Sequence, residues 1–71
     1  SDFSIIKIDT GIQLQNTEMH VYDVLGKEVV RLTEIHEHEF KLERKNLESG
    51  MYFYRLENNK KIIASGKLLI N

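Results

Sequence analysis

Histidines are the residues of this 71-residue chain whose type and spacing could bind a metal ion. His36 and His38 would share one face of an extended strand, because side chains alternate between faces along a strand, and His20 could approach them from a neighbouring strand. Zinc binds imidazole nitrogen, but a structural zinc site needs four ligands and no fourth can be identified. A solvated strand end also explains His-x-His in a polar segment, so we expect no metal site and no cofactor.

Catalytic residues are not expected either. The chain has no cysteine, which excludes thiol nucleophiles, thiolate metal sites and disulfide bonds. It has no serine-nucleophile motif, no phosphate-binding glycine loop and no metalloprotease helix motif. The acidic residues lie in polar segments, where solvated side chains are usual, and not in the apolar settings used for acid–base catalysis. We therefore expect a protein that is not an enzyme.

An aromatic segment offers a possible binding surface. Tyr52 and Tyr54 would lie on one face of a strand and Phe53 on the other, and exposed rings could stack on sugars or bases. The chain has only three tyrosines, three phenylalanines and no tryptophan. Removing such rings from so small a core would cost several kcal/mol each, so we expect a role in the core.

Charge and length limit the classes of partner. Ten basic and eleven acidic residues are interspersed and give a net charge of −1, so there is no basic patch for nucleic acid or an anionic membrane. No apolar run approaches the roughly 18 residues that span a bilayer. We expect a single domain, residues 1–71, that is monomeric, binds no nucleic acid and does not insert into a membrane.

Alternation of apolar and polar residues predicts β-strands along the whole chain. The predicted strands cover residues 3–8, 18–22, 27–32, 37–43, 51–56 and 60–70. Residues 12–15 also alternate, and either continue the first strand after a bend or form a further short strand. Residues 33–37 are predicted to be a loop or the entry to the next strand. Together these segments predict about six to seven short strands and no helix.

Turn residues separate these strands. Asp23 and Gly26 begin and end a four-residue turn, because Asp can accept bonds from the amides beyond it and Gly tolerates positive φ, so residues 18–32 are predicted to form a hairpin. Paired asparagines within residues 57–59 predict the turn of a second hairpin. Residues 64–66 predict a bulge in the last strand, and residues 9–11 predict a turn.

The loop before the aromatic strand contains two residues with specific predicted roles. Leu47 is expected to plug one end of the core from a short 3₁₀ turn. Gly50 is expected to supply a positive φ or a close backbone approach where the chain enters the strand. The predicted fold is all-β: a small antiparallel two-sheet sandwich, Ig-like, or a partly open barrel, with two layers about 10 Å apart as the simpler solution.

Three sequence blocks occur in a characteristic order: VYDVLGKEV at residues 21–29, NLESGMYFYRL at residues 46–56 and GKLLIN at residues 66–71. With them, nearly the whole chain resembles the type A C-terminal sorting domain of the type IX secretion system of Bacteroidetes. The resemblance implies structural roles for the motif residues Tyr22, Asp23, Gly26, Lys27, Leu47, Gly50 and Tyr52. Family members usually begin with Pro-Asn-Pro, which this proline-free chain lacks, so we expect a part of a longer secreted protein with any processing site upstream of residue 1.

The resemblance implies an export signal. In such proteins an N-terminal cargo domain, covalently linked to the sorting domain, crosses the inner membrane by its own signal. In the periplasm, the outer-membrane secretion machinery recognises the sorting domain. A sortase-like peptidase commonly removes that domain, and the cargo is secreted or attached to anionic lipopolysaccharide at the cell surface.

The end of the chain is where the family carries much of its export signal. The resemblance therefore implies that partners bind the last residues, namely Lys67, Leu68, Leu69, Ile70 and Asn71. A strand at a sheet edge could also be recognised by strand addition.

Two other functions stay open from the sequence alone. One is an Ig-like or fibronectin-like accessory module that binds carbohydrate or a neighbouring domain, which would require exposed Tyr52 and Tyr54. The other is a structural dimerisation module, which would use exposed strand edges.

Overall fold

The computed structural model describes residues 2–9 and 11–71. Its six strands are β1 Phe3–Lys7, β2 Thr17–Tyr22, β3 Glu28–Ile35, β4 Glu39–Glu43, β5 Gly50–Asn58 and β6 Lys61–Ile70. A four-stranded antiparallel sheet has the order β3-β2-β5-β6, and β1 pairs with β4 in a two-stranded antiparallel sheet. The predicted all-β two-sheet sandwich is confirmed. In the part of the chain described, no helix has the length and hydropathy of a membrane span.

The core forms where alternate side chains of the strands meet. On the central strand β2, Met19 and Val21 are 1% and 0% exposed, and each side chain of this kind contributes roughly 1.5–3 kcal/mol when it leaves water. Residues from both sheets belong to this cluster, so neither sheet buries its apolar face without the other. The buried hydrophobic residues are Ile8, Met19, Val21, Ile35, Leu42, Tyr52, Leu56 and Ile70.

The hairpin predicted over residues 18–32 is confirmed, with β2 and β3 paired antiparallel. Oδ1 of Asp23 accepts hydrogen bonds from the amides of Leu25 and Lys27, each at 2.9 Å. The amide of Gly26 donates to the Asp23 carbonyl at 3.0 Å, and Gly26 has φ +86°. Local turn chemistry is therefore sufficient to form this turn.

The second hairpin forms, but its turn lies later than predicted. Asn58 still belongs to β5, and the turn residues are Asn59 and Lys60, with φ values of +52° and +67°. Two successive left-handed residues are the geometry of a type I′ hairpin turn. The prediction was wrong about Asn58 because its side chain is buried and bonded to a distant segment.

Asn58 connects the end of β5 to the segment that leads into β2. Its Oδ1 accepts hydrogen bonds from the amide of Gln15 at 2.8 Å and the hydroxyl of Thr17 at 2.5 Å. Its Nδ2 donates to the carbonyl of Gln13 at 3.0 Å. Asn58 and Thr17 are 8% and 1% exposed, so these bonds replace contacts with water that the groups have lost. Residues 12–15 form no strand, so both alternatives given above, a continuation of the first strand and a further short strand, are wrong.

The bulge predicted at residues 64–66 is wrong in position. Leu56 pairs with Ala64 while Glu57 pairs with Ile62, so the extra residue of β6 is Ile63. Gly66 instead lies opposite Tyr54, and a Cβ at Gly66 would be 3.1 Å from Cε2 of that ring. Gly66 therefore provides space for an aromatic ring across the strand pair.

Two strand boundaries differ from the prediction, and one predicted turn is not tested. β3 continues to Ile35 through the predicted loop, because buried Ile35 pairs with Thr17 at the end of the hairpin. β4 begins at Glu39. The turn predicted at residues 9–11 includes Thr10, which lies outside the described residues.

The loop between β4 and β5 directs the chain into the aromatic strand. The amide of Leu47 donates to the Arg44 carbonyl at 3.0 Å, and Lys45 between them has φ +52°, so the turn is not the predicted 3₁₀ turn. Leu47 is partly buried against the core, as predicted. Gly50 has φ +150°, and an added Cβ would meet no atom within 4 Å, so Gly50 is needed for its backbone conformation and not for close packing.

We expect Gly50→Val to lower the melting temperature by several degrees. A side chain at this φ introduces backbone strain of about 1–3 kcal/mol, and each kcal/mol corresponds to roughly 4–8 °C in a domain of this size. Thermal unfolding followed by circular dichroism measures the change. Gly11→Val is the control, because Gly11 is exposed, has open space at Cβ and lacks a positive φ. Equal melting temperatures for the two variants would contradict the assigned role.

Candidate functional site

Four of the predicted partner-binding residues lie on β6, which forms one edge of the four-stranded sheet, and the fifth, Asn71, follows it directly. Strand alternation divides them into two sets. Lys67, Leu69 and Asn71 are exposed, with Leu69 68% exposed. Leu68 is half-buried against the core and Ile70 is 9% exposed within it. Only the first set presents side chains that a partner could contact without unfolding the strand.

The exposed residues of β6 continue an apolar surface on β5. Leu69 pairs with Met51, and Lys67 pairs with Phe53. Directly opposed residues on one face of an antiparallel pair have Cβ atoms about 4.5–5.5 Å apart, so these four side chains form one surface, which we call the C-terminal patch. Met51 and Phe53 are 41% and 38% exposed. Exposed apolar patches edged by polar residues are typical of interaction sites.

Arg44 fixes the end of the chain beside this patch. Its Nε donates to the Leu47 carbonyl at 3.0 Å and its Nη2 donates to the Ser49 hydroxyl at 2.8 Å. Its Nη1 donates to the carbonyl oxygen of Asn71. One guanidinium group therefore holds both the loop before β5 and the last residue after β6. No sequence pattern predicted this role, because it depends on a contact between distant residues.

Two motif residues, Tyr52 and Leu47, contact the core at the same end of the sandwich as the C-terminal patch. Tyr52 is buried, and its hydroxyl donates to the Glu48 carbonyl at 2.7 Å, across the loop that contains Gly50. Leu47 packs on the core beside it. These residues orient the start of β5, to which the end of β6 is paired.

Aromatic exposure differs from what carbohydrate binding would require. Tyr52 is 8% exposed and Tyr54 is half-buried, whereas Phe53 lies on the outer face. The expected core role is therefore confirmed for the two tyrosines and wrong for Phe53, because strand alternation places its ring on the face opposite to theirs. The remaining motif tyrosine, Tyr22, lies parallel to the His20 ring, 6.3 Å away between centroids, and the Arg55 guanidinium lies 5.5 Å from the Tyr22 ring centre.

Histidines are not grouped as the metal hypothesis required. His36 and His38 are exposed, and the His38 ring contacts the Ile12 carbonyl at 3.1 Å through Nε2. Among the described residues, the side chains close enough to share a metal ion are Glu18, His20 and Glu57. The sequence prediction missed this group because Glu57 belongs to a different strand.

Two depressions lie along the open edges of the sandwich. One is lined by β3 residues and residues 41–47, and the other by residues 5–9 together with β5 and β6. As far as the described residues line them, neither contains a histidine, serine or threonine side chain.

These features define a small β-sandwich with an exposed apolar face and an anchored chain end at one sheet edge, an arrangement suited to recognition by another protein. The family model described as "secretion system C-terminal sorting domain" matches residues 2–71, and the chain belongs to this family. Comparison with curated proteins and with solved structures found no match. The resemblance drawn from the three sequence blocks is confirmed. The domain is a C-terminal sorting signal of type IX secretion, and its family implies export to the cell surface or the outside.

Proposed function

We propose that the outer-membrane type IX machinery recognises this domain through the C-terminal patch, and thereby exports a cargo linked to its N-terminal side. The cargo passes through the periplasm before this step. A sortase-like peptidase then cleaves upstream of the domain, and the cargo is released or attached to surface lipopolysaccharide. Membership of the sorting-domain family supports this sequence of events.

The observation that carries the proposed surface is the outward orientation of Leu69 on an anchored strand. Leu69 is 68% exposed and lies opposite exposed Met51, so it belongs to an apolar patch and is not a single scattered surface leucine. Arg44 holds the carbonyl of Asn71, so the patch is presented in a fixed orientation. Fixed surfaces lose less conformational entropy on binding than flexible tails do.

We expect Leu69→Glu to reduce export about tenfold or more. A charge in place of a leucine that becomes buried on binding removes roughly 1.5–3 kcal/mol of favourable transfer energy, and 1.4 kcal/mol corresponds to tenfold in affinity. The measurement is the fraction of a fused reporter that reaches the medium of a host with a type IX system. Ile5→Glu is the matched control, since Ile5 is a 49% exposed aliphatic residue on β1, in the other sheet, where it pairs with Lys41.

Ile5→Glu should be exported like the unchanged domain, and both variants should keep its melting temperature within a few degrees. Comparable losses of export in the two variants, or normal export of Leu69→Glu, would show that the patch is not the recognised surface.

The alternative of a carbohydrate-binding accessory module requires exposed Tyr52 and Tyr54, but Tyr52 is buried and Tyr54 is half-buried. A dimerisation module finds no specific support in the strand edges, which are a general property of open sheets. The monomeric state stays a prediction, which light scattering can test.

A further inference from the structure

A charged cluster lies on the outer face of the four-stranded sheet, the face that also carries Phe53 of the C-terminal patch. Glu18 and His20 are two positions apart on β2 and so share a face, and Glu57 on β5 pairs directly with Glu18. Nε2 of His20 is 3.2 Å from Oε1 of Glu18 and 3.9 Å from Oε1 of Glu57. All three possible ligand atoms lie within 4.8 Å of one another.

The His20 ring is held in one orientation by a third carboxylate. Its Nδ1 lies 2.5 Å from Oε1 of Glu28, and its side chain is only 9% exposed. A carboxylate accepts hydrogen bonds, so Nδ1 carries the proton and donates to Glu28. With the proton on Nδ1 alone, the lone pair is on Nε2, the ring nitrogen that lies close to Glu18 and Glu57. Histidine ligands of metal ions are commonly oriented in this way by a carboxylate on the other nitrogen.

The cluster lacks a positive group at its centre. Nε2 of His20 is buried and has no hydrogen-bond partner among the described residues, although a carboxylate is 3.2 Å away. Like charges directly opposite on paired strands, as Glu18 and Glu57 are, destabilise a sheet. A proton on Nε2 would supply charge but would have no acceptor in line with its bond. A cation between the three atoms would satisfy both the charges and the ring nitrogen.

Two neighbouring arginines contact these carboxylates but do not fill the space between Glu18, His20 and Glu57. Arg55 Nε lies 2.9 Å from Oε2 of Glu57, so Oε1 of that carboxylate stays available on the His20 side. Arg31 is 58% exposed and reaches Oε1 of Glu18 only at 3.5 Å, a distance at which an exposed pair contributes little.

We propose that Glu18, His20 and Glu57 bind a divalent transition-metal ion, with Glu28 orienting the histidine. Imidazole nitrogen with carboxylate oxygen favours zinc and similar ions over calcium and magnesium, which prefer oxygen ligands alone. Tetrahedral zinc with ligands at about 2.0–2.1 Å places ligand atoms about 3.4 Å apart. Nε2 lies 3.2 Å from the Glu18 oxygen and 3.9 Å from the Glu57 oxygen, so the Glu57 carboxylate would move closer to His20 on binding. Water would complete the coordination.

Binding of the ion would tie together the two central strands, β2 and β5. A ligand that binds only the folded state raises the melting temperature, and at 100 times its dissociation constant the rise is roughly 10 °C or more in a domain of this size. Zinc chloride is the probe, with calcium chloride as the comparison. Calorimetry gives the stoichiometry, and NMR of the imidazole nitrogens identifies the histidine that binds.

One zinc ion per chain, a shift of the His20 Nε2 resonance and no response to calcium are expected. Glu57→Gln should weaken zinc binding at least tenfold, whereas the double variant His36→Gln and His38→Gln should bind like the unchanged chain. Absence of zinc binding at millimolar concentration would overturn the proposal, as would resonance shifts confined to His36 and His38. Because the NMR assignment uses the unchanged chain, the outcome does not depend on the folding of any variant.

Discussion

Asn58→Ala should lower the free energy of unfolding by about 3 kcal/mol or more. The change removes the partner of the Gln15 amide, the Thr17 hydroxyl and the Gln13 carbonyl, and an unsatisfied buried polar group costs about 1–3 kcal/mol. The melting temperature should fall by more than about 10 °C. Chemical and thermal unfolding monitored by circular dichroism measures the change.

Asn59→Gly is the matched control for this experiment. Asn59 is exposed, its side chain makes one long contact of 3.4 Å with Asn16, and glycine accepts its positive φ without strain. The control should change stability by less than about 1 kcal/mol. If Asn58→Ala lowered the free energy of unfolding no more than Asn59→Gly does, the hydrogen bonds from the Asn58 side chain to residues 13–17 would not be a main source of stability.

The same pair of asparagines shows what limits prediction from sequence. Their composition correctly indicated a hairpin turn, because asparagine tolerates left-handed conformations. Which asparagine occupies the turn was decided by hydrogen bonds to residues 13–17, far away along the chain. Asp23 and Gly26 were interpreted correctly because every partner of that turn lies within a few residues.

The strands could be predicted from local sequence patterns, but their pairing into sheets could not, because pairing depends on contacts between distant residues. Alternation located all six strands, but it could not show that β1 pairs with β4 apart from the other four. The bulge at Ile63 and the space that Gly66 leaves for Tyr54 depend on the register between β5 and β6. Register comes from side-chain packing across strands, which a single sequence does not contain.

The candidate surface was predictable only in part. Resemblance to the sorting-domain family indicated the last five residues, and alternation after Gly66 separates Leu69 from Leu68. The contribution of Met51 and Phe53 required the pairing of β5 with β6. The His20 cluster required a second pairing, between β2 and β5, because Glu57 approaches from that strand.

Joining residues 1–71 to the C-terminus of an unrelated periplasmic reporter should convert that reporter into an exported protein. The reason is structural: the two sheets share one core, and Arg44 bonds to Asn71 beside the C-terminal patch, so these residues contain the surface that we propose is recognised. In a Bacteroidetes host with a type IX system, we expect most of the reporter outside the cell. Without the domain, or in a host without that system, it should stay in the periplasm.

The fraction of this reporter found outside the cell is the most direct test of the domain as a sorting signal. The Asn58→Ala fusion should be exported less than the unchanged fusion, because fewer molecules present a folded patch. The mass of the exported reporter shows whether a peptidase has removed the domain. Export of most of the reporter only when both the domain and the type IX system are present is the result we predict. A reporter that stays in the periplasm with the intact, folded domain attached would contradict it.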